Sequence, residues 1–192
     1  MDLLKRQEEL QKEGHSLLKR IGLIEFLSKF GKPHIVGSME SGLMVWKDID
    51  IEIIQEDIKD NEYWEIVKFL FYLKGLYHSL YIQDFRKSVN PNTPKGLYIG
   101  TKIEFNGNTW KIDIWLIKPR SNDAINYNEW IKDKLSDENK KVILEIKNKI
   151  YQNPKYRKEI FAVDIYKAVI ENGVKNLDGF KKYLEDQGKS LN

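Results

Sequence analysis

Cysteine is absent from this 192-residue chain, and histidine occurs three times, at His15, His34 and His78. Those absences exclude a disulfide framework, a thiolate zinc site and a cysteine nucleophile, and they disfavour a His-rich metal centre. No apolar run approaches the roughly 20 residues that span a bilayer. The first twenty residues are charged and rich in Gln and Glu, without the apolar stretch of a signal peptide; a soluble cytoplasmic protein with no membrane partner is expected. Neither sign of charge dominates. The 32 Lys and Arg stand against 29 Asp and Glu and are mixed along the chain, so composition does not point to nucleic acid. Apolar residues make up 41%, enough for a buried core in a chain of this length.

What the sequence does contain is a succession of periodic segments. Leu3, Leu10, Leu17 and Ile24 recur every seventh residue, with Leu4, Leu18 and Ile21 beside them, which predicts one amphipathic helix, or two broken near Gly14 or Gly22. Phe30-Gly-Lys-Pro33 stops it. His34–Val36 reads as a short strand and Met44–Ile54 as a second. A helix capped by Asn61 and ending near Gly75 follows, then a strand over His78–Arg86. Leu97–Phe105 and Thr109–Ile117 form a hairpin through Asn106-Gly-Asn108. Beyond Pro119–Asp123 the chain turns helical, with helices after Ser136, over Phe161–Glu171 and over Leu177–Asp186. The expected class is α+β: a mixed sheet flanked by helices over residues 1–120, and a helical subdomain over 121–192.

The second strand carries the chemistry. Ile49, Ile51 and Ile53 point one way, and Asp48, Asp50 and Glu52 the other. Residues i and i+2 on a strand lie about 7 Å apart, so Asp48 and Asp50 can share one cation or an adjacent pair. Glu52 is about 13 Å from Asp48, too far for the same ion. A third carboxylate, Asp113, sits in the apolar run Trp110-Lys-Ile-Asp-Ile-Trp-Leu-Ile117, where a charge requires a partner or a metal. If the two strands are neighbours, the three carboxylates converge on two Mg²⁺ ions roughly 4 Å apart, suited to orienting a nucleoside triphosphate for in-line displacement of pyrophosphate. Gly37-Ser38, nine residues before Asp48, permits close approach of a phosphate and supplies hydrogen-bond donors.

Gly37-Ser38, the nine-residue gap, Asp48-Ile-Asp50-Ile and the later Asp113 resemble the active-site pattern of the DNA polymerase beta-type nucleotidyltransferase superfamily. The resemblance spans roughly Ile35 to Ile117. It implies that Asp48, Asp50 and Asp113 are metal ligands, that Gly37 and Ser38 contact the triphosphate, and that a nucleoside monophosphate passes to a hydroxyl-type acceptor. ATP, GTP, CTP and UTP all fit the pattern as donors. Lys111, Lys118, Arg120 and Arg86 are candidates to reach phosphates, and Glu52, Glu104 or Asp113 to deprotonate the acceptor. The loop Pro94–Tyr98 is a candidate border of the acceptor pocket. Trp110, Trp115, Tyr127 and Trp130 can stack on a ring or fill the core. The modest positive excess favours a small molecule such as an antibiotic, or a protein side chain, over RNA. The alternative is a non-catalytic, antitoxin-like binding module whose N-terminal and C-terminal helices serve as interface.

Overall fold

Isoleucine on every second position of one strand and of its neighbour builds the centre of the molecule. In the computed structural model, which describes residues 2–73, 77–90, 93–119 and 123–191, five strands form one mixed sheet in the order β1-β2-β5-β4-β3. They are β1 (Pro33–Val36), β2 (Asp48–Ile54), β3 (Tyr77–Asp84), β4 (Gly96–Phe105) and β5 (Asn108–Ile117). β2 and β5 run parallel and the remaining pairs are antiparallel. Ile49, Ile51 and Ile53 of β2 and Ile112, Ile114 and Leu116 of β5 are fully buried on one face. That face is covered by α1 (Leu3–Ile21), α2 (Leu23–Leu27) and α4 (Asp60–Phe71), and all of these elements share one apolar cluster.

A second cluster lies among α5 (Asp123–Lys134), α6 (Asp137–Ile150), α7 (Ala162–Ile170) and α8 (Leu177–Asp186). Ile143, Ile146, Ile165, Val169, Phe180 and Leu184 form its centre, so the apolar faces of the C-terminal helices are spent on packing within the chain. Those of α1 are buried too, at Leu10, Leu17, Leu18 and Ile21.

The sequence expectations hold in outline, with informative differences at the edges. The first helix breaks at Gly22, not Gly14. The cap of α4 is Lys59, and Asn61 lies inside the first turn. β2 begins at Asp48 rather than Met44, because Leu43 and Val45 turn away to join the second cluster. Helix α5 went unmarked by periodicity, since its apolar positions are few. Ser136 does cap α6, accepting from the Asn139 N–H at 3.1 Å. The β4–β5 hairpin turns on Asn106 and Gly107, both with positive φ (49° and 71°), as an Asn-Gly two-residue turn requires. Gly75, expected at the end of α4, and Arg120 lie outside the described residues.

Candidate active site

Strand pairing brings the carboxylates together. Parallel pairing of β2 with β5 places Asp50 directly beside Asp113, and Asp48 beside Lys111. One carboxylate oxygen from each of Asp48, Asp50 and Asp113 lies within 4.8 Å of the others. Asp48 and Asp113 are buried, and the Asp50 carboxyl lies beneath the Gly37 turn. Burial first, then the neighbouring Asp48 and Asp113 charges, raise the Asp50 pKa well above the usual carboxylate range. Burial also raises Asp113, against the opposing pull of Lys111.

The chain's own groups compensate these charges incompletely. Lys111 Nζ pairs with Asp113 and approaches Asp48 Oδ1 at 3.5 Å. Trp46 Nε1 donates to Asp48 Oδ2 at 3.1 Å, and the Tyr98 hydroxyl donates to Asp113 Oδ1 at 2.9 Å. Tyr98 reaches that far because Gly100, the cross-strand partner of Asp113, has no side chain. A Cβ there would stand 2.3 Å from the Tyr98 hydroxyl. Three acids with one ammonium, converging to a few ångströms, form a donor set suited to hard divalent cations.

The Gly-Ser element lies against this cluster. β1 ends at Val36, paired with Asp50, and the chain turns at once into α3 (Gly37–Glu40). Gly37 adopts φ 69°, and a Cβ at that position would meet Asp50 Oδ2 at 2.7 Å, so both conformation and space demand glycine. Its N–H donates to Asn128 Oδ1 at 2.8 Å, and its carbonyl accepts from Asn128 Nδ2 at 2.9 Å. The turn is thereby pinned to α5, and the Gly37 N–H is already engaged. Of the pair, Ser38 keeps a side chain at the cleft.

A cleft of about 690 Å³ opens over these groups, with Ser38, the three aspartates and Lys111 in its walls. The C-terminal part of the chain contributes Lys147 of α6, Tyr166 of α7, and Arg157 and Phe161 from the segment between them. Lys147 is fully buried, donating to the Leu43 carbonyl at 2.6 Å and to the Tyr166 hydroxyl at 3.0 Å, with its ammonium over the Trp46 ring. Burial lowers its pKa to about 7. Sequence reasoning did not find Asn128, Lys147 or Arg157. Each comes from a segment far from the motif, and an Asn or Lys on a polar helix carries no signal of its own.

Other candidates separate cleanly. Trp115, Tyr127, Pro94 and Tyr98 line the cleft, whereas Trp110 is wholly buried in the sheet core and Trp130 stacks on Tyr127. Arg86 is bound by Asp84 and by Asp60 and does not line the cleft. Glu104 bonds Thr109 near the hairpin turn, and Glu52 is buried one strand residue pair beyond Asp50; neither lines the cleft. Lys118 is exposed outside it.

No family model and no curated protein matches the sequence. Solved structures do match the fold. The non-canonical poly(A) polymerase complex GLD-2–GLD-3 superposes with a TM-score of 0.59 over 88% of this chain at 13% identity. The chain has the fold of the DNA polymerase beta-type nucleotidyltransferases. A cytoplasmic RNA terminal U-transferase is similar at TM-score 0.54 over 87% of the chain (16% identity), and the Cid1 poly(U) polymerase at 0.57 over 83% (15% identity). This nucleotidyltransferase-fold chain spans 58%, 52% and 48% of those three chains, respectively. Among its described residues, no helix is long and apolar enough to cross a membrane.

Proposed function

We propose that the protein is a Mg²⁺-dependent nucleotidyltransferase that transfers a nucleoside monophosphate from a nucleoside triphosphate such as ATP to a hydroxyl-type acceptor, releasing pyrophosphate. The observation that carries this reading is the register of β2 with β5, which juxtaposes Asp50 and Asp113 beneath the Gly37 turn. In this reading Asp48, Asp50 and Asp113 would together hold two magnesium ions. Magnesium bound there supplies charge neutralisation and polarises the phosphate oxygens.

The chain's own groups account for the remainder. Ser38 and Arg157 receive the triphosphate tail, with the fully buried Lys147 adding positive potential behind them. The half-exposed Phe161 ring, lining the same cleft, offers a surface for the donor base. Lys111, between Asp48 and Asp113, is placed to meet the α-phosphate. The acceptor oxygen bonds to the α-phosphorus as the bond to the bridging oxygen breaks; pyrophosphate leaves with that electron pair. The hydroxyl proton passes to Asp113, whose basicity burial increases. Residues 1–120 act as the catalytic core, and 121–192 as the subdomain that walls the triphosphate side. The acceptor is a small molecule or a protein side chain rather than RNA, and the protein works in the cytoplasm. The apolar faces of the terminal helices pack within the chain, which favours the enzyme reading over an antitoxin-like module.

Calorimetric titration of ATP, GTP, CTP and UTP with Mg²⁺ tests the proposal. Metal-dependent binding of at least one triphosphate, lost in the Asp48→Asn/Asp50→Asn double variant, is expected. A folded protein that binds none of the four would sink it.

A further inference from the structure

On the sheet face that carries Lys111 and Asp113, the next residue of β5 is Trp115, and its cross-strand partner on β4 is Tyr98. The Tyr98 and Trp115 ring centroids lie 4.9 Å apart. Phe85, just past the end of β3, closes the group at 5.4 Å from Trp115 and 6.3 Å from Tyr98. Its position is fixed by its own N–H, which donates to the Gly96 carbonyl at 2.8 Å. Gln83 and Pro94 line the cleft beside these rings. All three rings are half-buried, so each keeps a surface open to the cleft.

Strand order gives this cluster its meaning. Ser38, the proposed triphosphate contact, follows β1 on one side of the carboxylates, and the rings lie on the β4 and β3 side. In-line displacement requires the incoming oxygen to approach the α-phosphorus opposite the departing pyrophosphate. The acceptor therefore enters over Trp115, Tyr98 and Phe85. Tyr98 links that surface to the carboxylates, since its ring packs at a tilt against Trp115 and its hydroxyl donates to Asp113.

Among the described residues, Phe85, Tyr98, Trp115, Gln83 and Pro94 make an uncharged wall. An RNA acceptor needs cations to follow its backbone beyond the terminal nucleotide. Arg86, next to Phe85 in the chain, is occupied by Asp84 and Asp60. Lys87, Lys95 and Lys118 are exposed, and none lines the cleft.

We infer that Trp115, Tyr98 and Phe85 form the acceptor subsite, and that it selects a neutral, ring-bearing small molecule whose hydroxyl group is presented to Asp113 while a flat face stacks on Trp115. This deepens the nucleotidyltransferase reading and rests on it. It assigns acceptor choice to stacking and shape rather than to charge.

The test uses the full chain with two probes. Phenyl β-D-glucopyranoside presents one aryl ring, one pyranose face and free hydroxyls; a short oligouridylate presents bases on a charged backbone. Binding is read by saturation-transfer NMR and by quenching of tryptophan fluorescence, in the presence of Mg²⁺. The glucoside is expected to bind the wild type, about tenfold more weakly to Trp115→Ala and to Phe85→Ala, and nearly normally to Trp115→Phe. Mg²⁺-dependent triphosphate binding should be unchanged in all three, which also shows that they fold. With an acceptor in hand, Trp115→Ala should raise its KM far more than it lowers kcat. A glucoside that fails to bind, or binds wild type and Trp115→Ala alike, overturns the subsite; so does tight, steeply salt-dependent binding of the oligouridylate. Loss of triphosphate binding in the wild type itself is the separate signature that the underlying reading has failed, and it removes this inference with it.

Discussion

Asn128 and Gly37 are joined by two hydrogen bonds, amide to amide, in a closed pair. Through that pair helix α5 holds the Gly37-Ser38 turn, 91 residues earlier in the chain. Replacing Asn128 with Ala leaves the Gly37 N–H without its partner in a half-buried turn. The expected cost is about 1 to 3 kcal/mol of stability. Because the freed turn no longer holds Ser38 in place, triphosphate affinity should fall as well. Denaturant melts and calorimetry on the same sample check both effects, and a variant with unchanged affinity would show that the turn holds its shape alone.

Gly37 itself should tolerate no side chain. Gly37→Ala pays twice, for a positive φ and for a Cβ pressed onto Asp50 Oδ2. Destabilisation of about 1 to 3 kcal/mol is expected, and the displaced Asp50 should weaken Mg²⁺ or Mn²⁺ binding at least tenfold. Isothermal titration with Mn²⁺ reads the second effect directly.

The aspartate cluster makes stability depend on pH in a definite direction. Asp50 and Asp113 have folded-state pKa values above their ordinary value of 3.8. The folded protein therefore holds protons that the unfolded chain has released. The stability contributed by these groups is complete below about pH 4 and is lost as pH rises through the raised values. A divalent cation bound to the carboxylates reverses that loss. At ten times its Kd, Mg²⁺ should add about 1.4 kcal/mol, raising Tm by roughly 3 to 6 °C at pH 8 and by less at pH 5. Melting curves with and without Mg²⁺ at the two pH values test this. Equal shifts at both would remove the cluster from consideration as the binding site.

Lys147 trades stability for a charge at the cleft. Its folded pKa, about 7, lies below its ordinary 10.5. The cost of burying it is therefore full below about pH 7 and disappears as pH rises toward 10.5. Lys147→Met removes that cost but forfeits the bonds to Leu43 and Tyr166, worth about 1 kcal/mol each. A net gain on the order of 2 kcal/mol at pH 6, shrinking at pH 10, is expected, together with weaker triphosphate binding. Melting at the two pH values checks the first part, and calorimetry the second.

Much of this architecture was legible from residue order. Alternating isoleucines marked β2, the Asn-Gly pair marked the β4–β5 turn, and Ser136 marked the start of α6, because each rests on a local period or a local conformational demand. The edges were less legible. Val45 looks like strand in sequence, yet tertiary packing draws it into the helical cluster. Helix α5 lacks a strong apolar stripe, and its contribution depends on one asparagine amide meeting a turn far away in sequence.

The sequence by itself determined the two halves of the candidate site, Gly37-Ser38 with Asp48-Ile-Asp50 and the solitary Asp113, because a charge in an apolar strand demands a partner wherever that strand goes. It could not decide that strand pairing would set Asp113 beside Asp50. Register is a property of two strands, and a shift of one residue would have turned Asp113 to the opposite face. Nor could it set Lys147, Asn128 and the Trp115 wall around the carboxylates. Those positions follow from strand order and from how the helical subdomain packs, and both are chosen by burial summed over the whole chain.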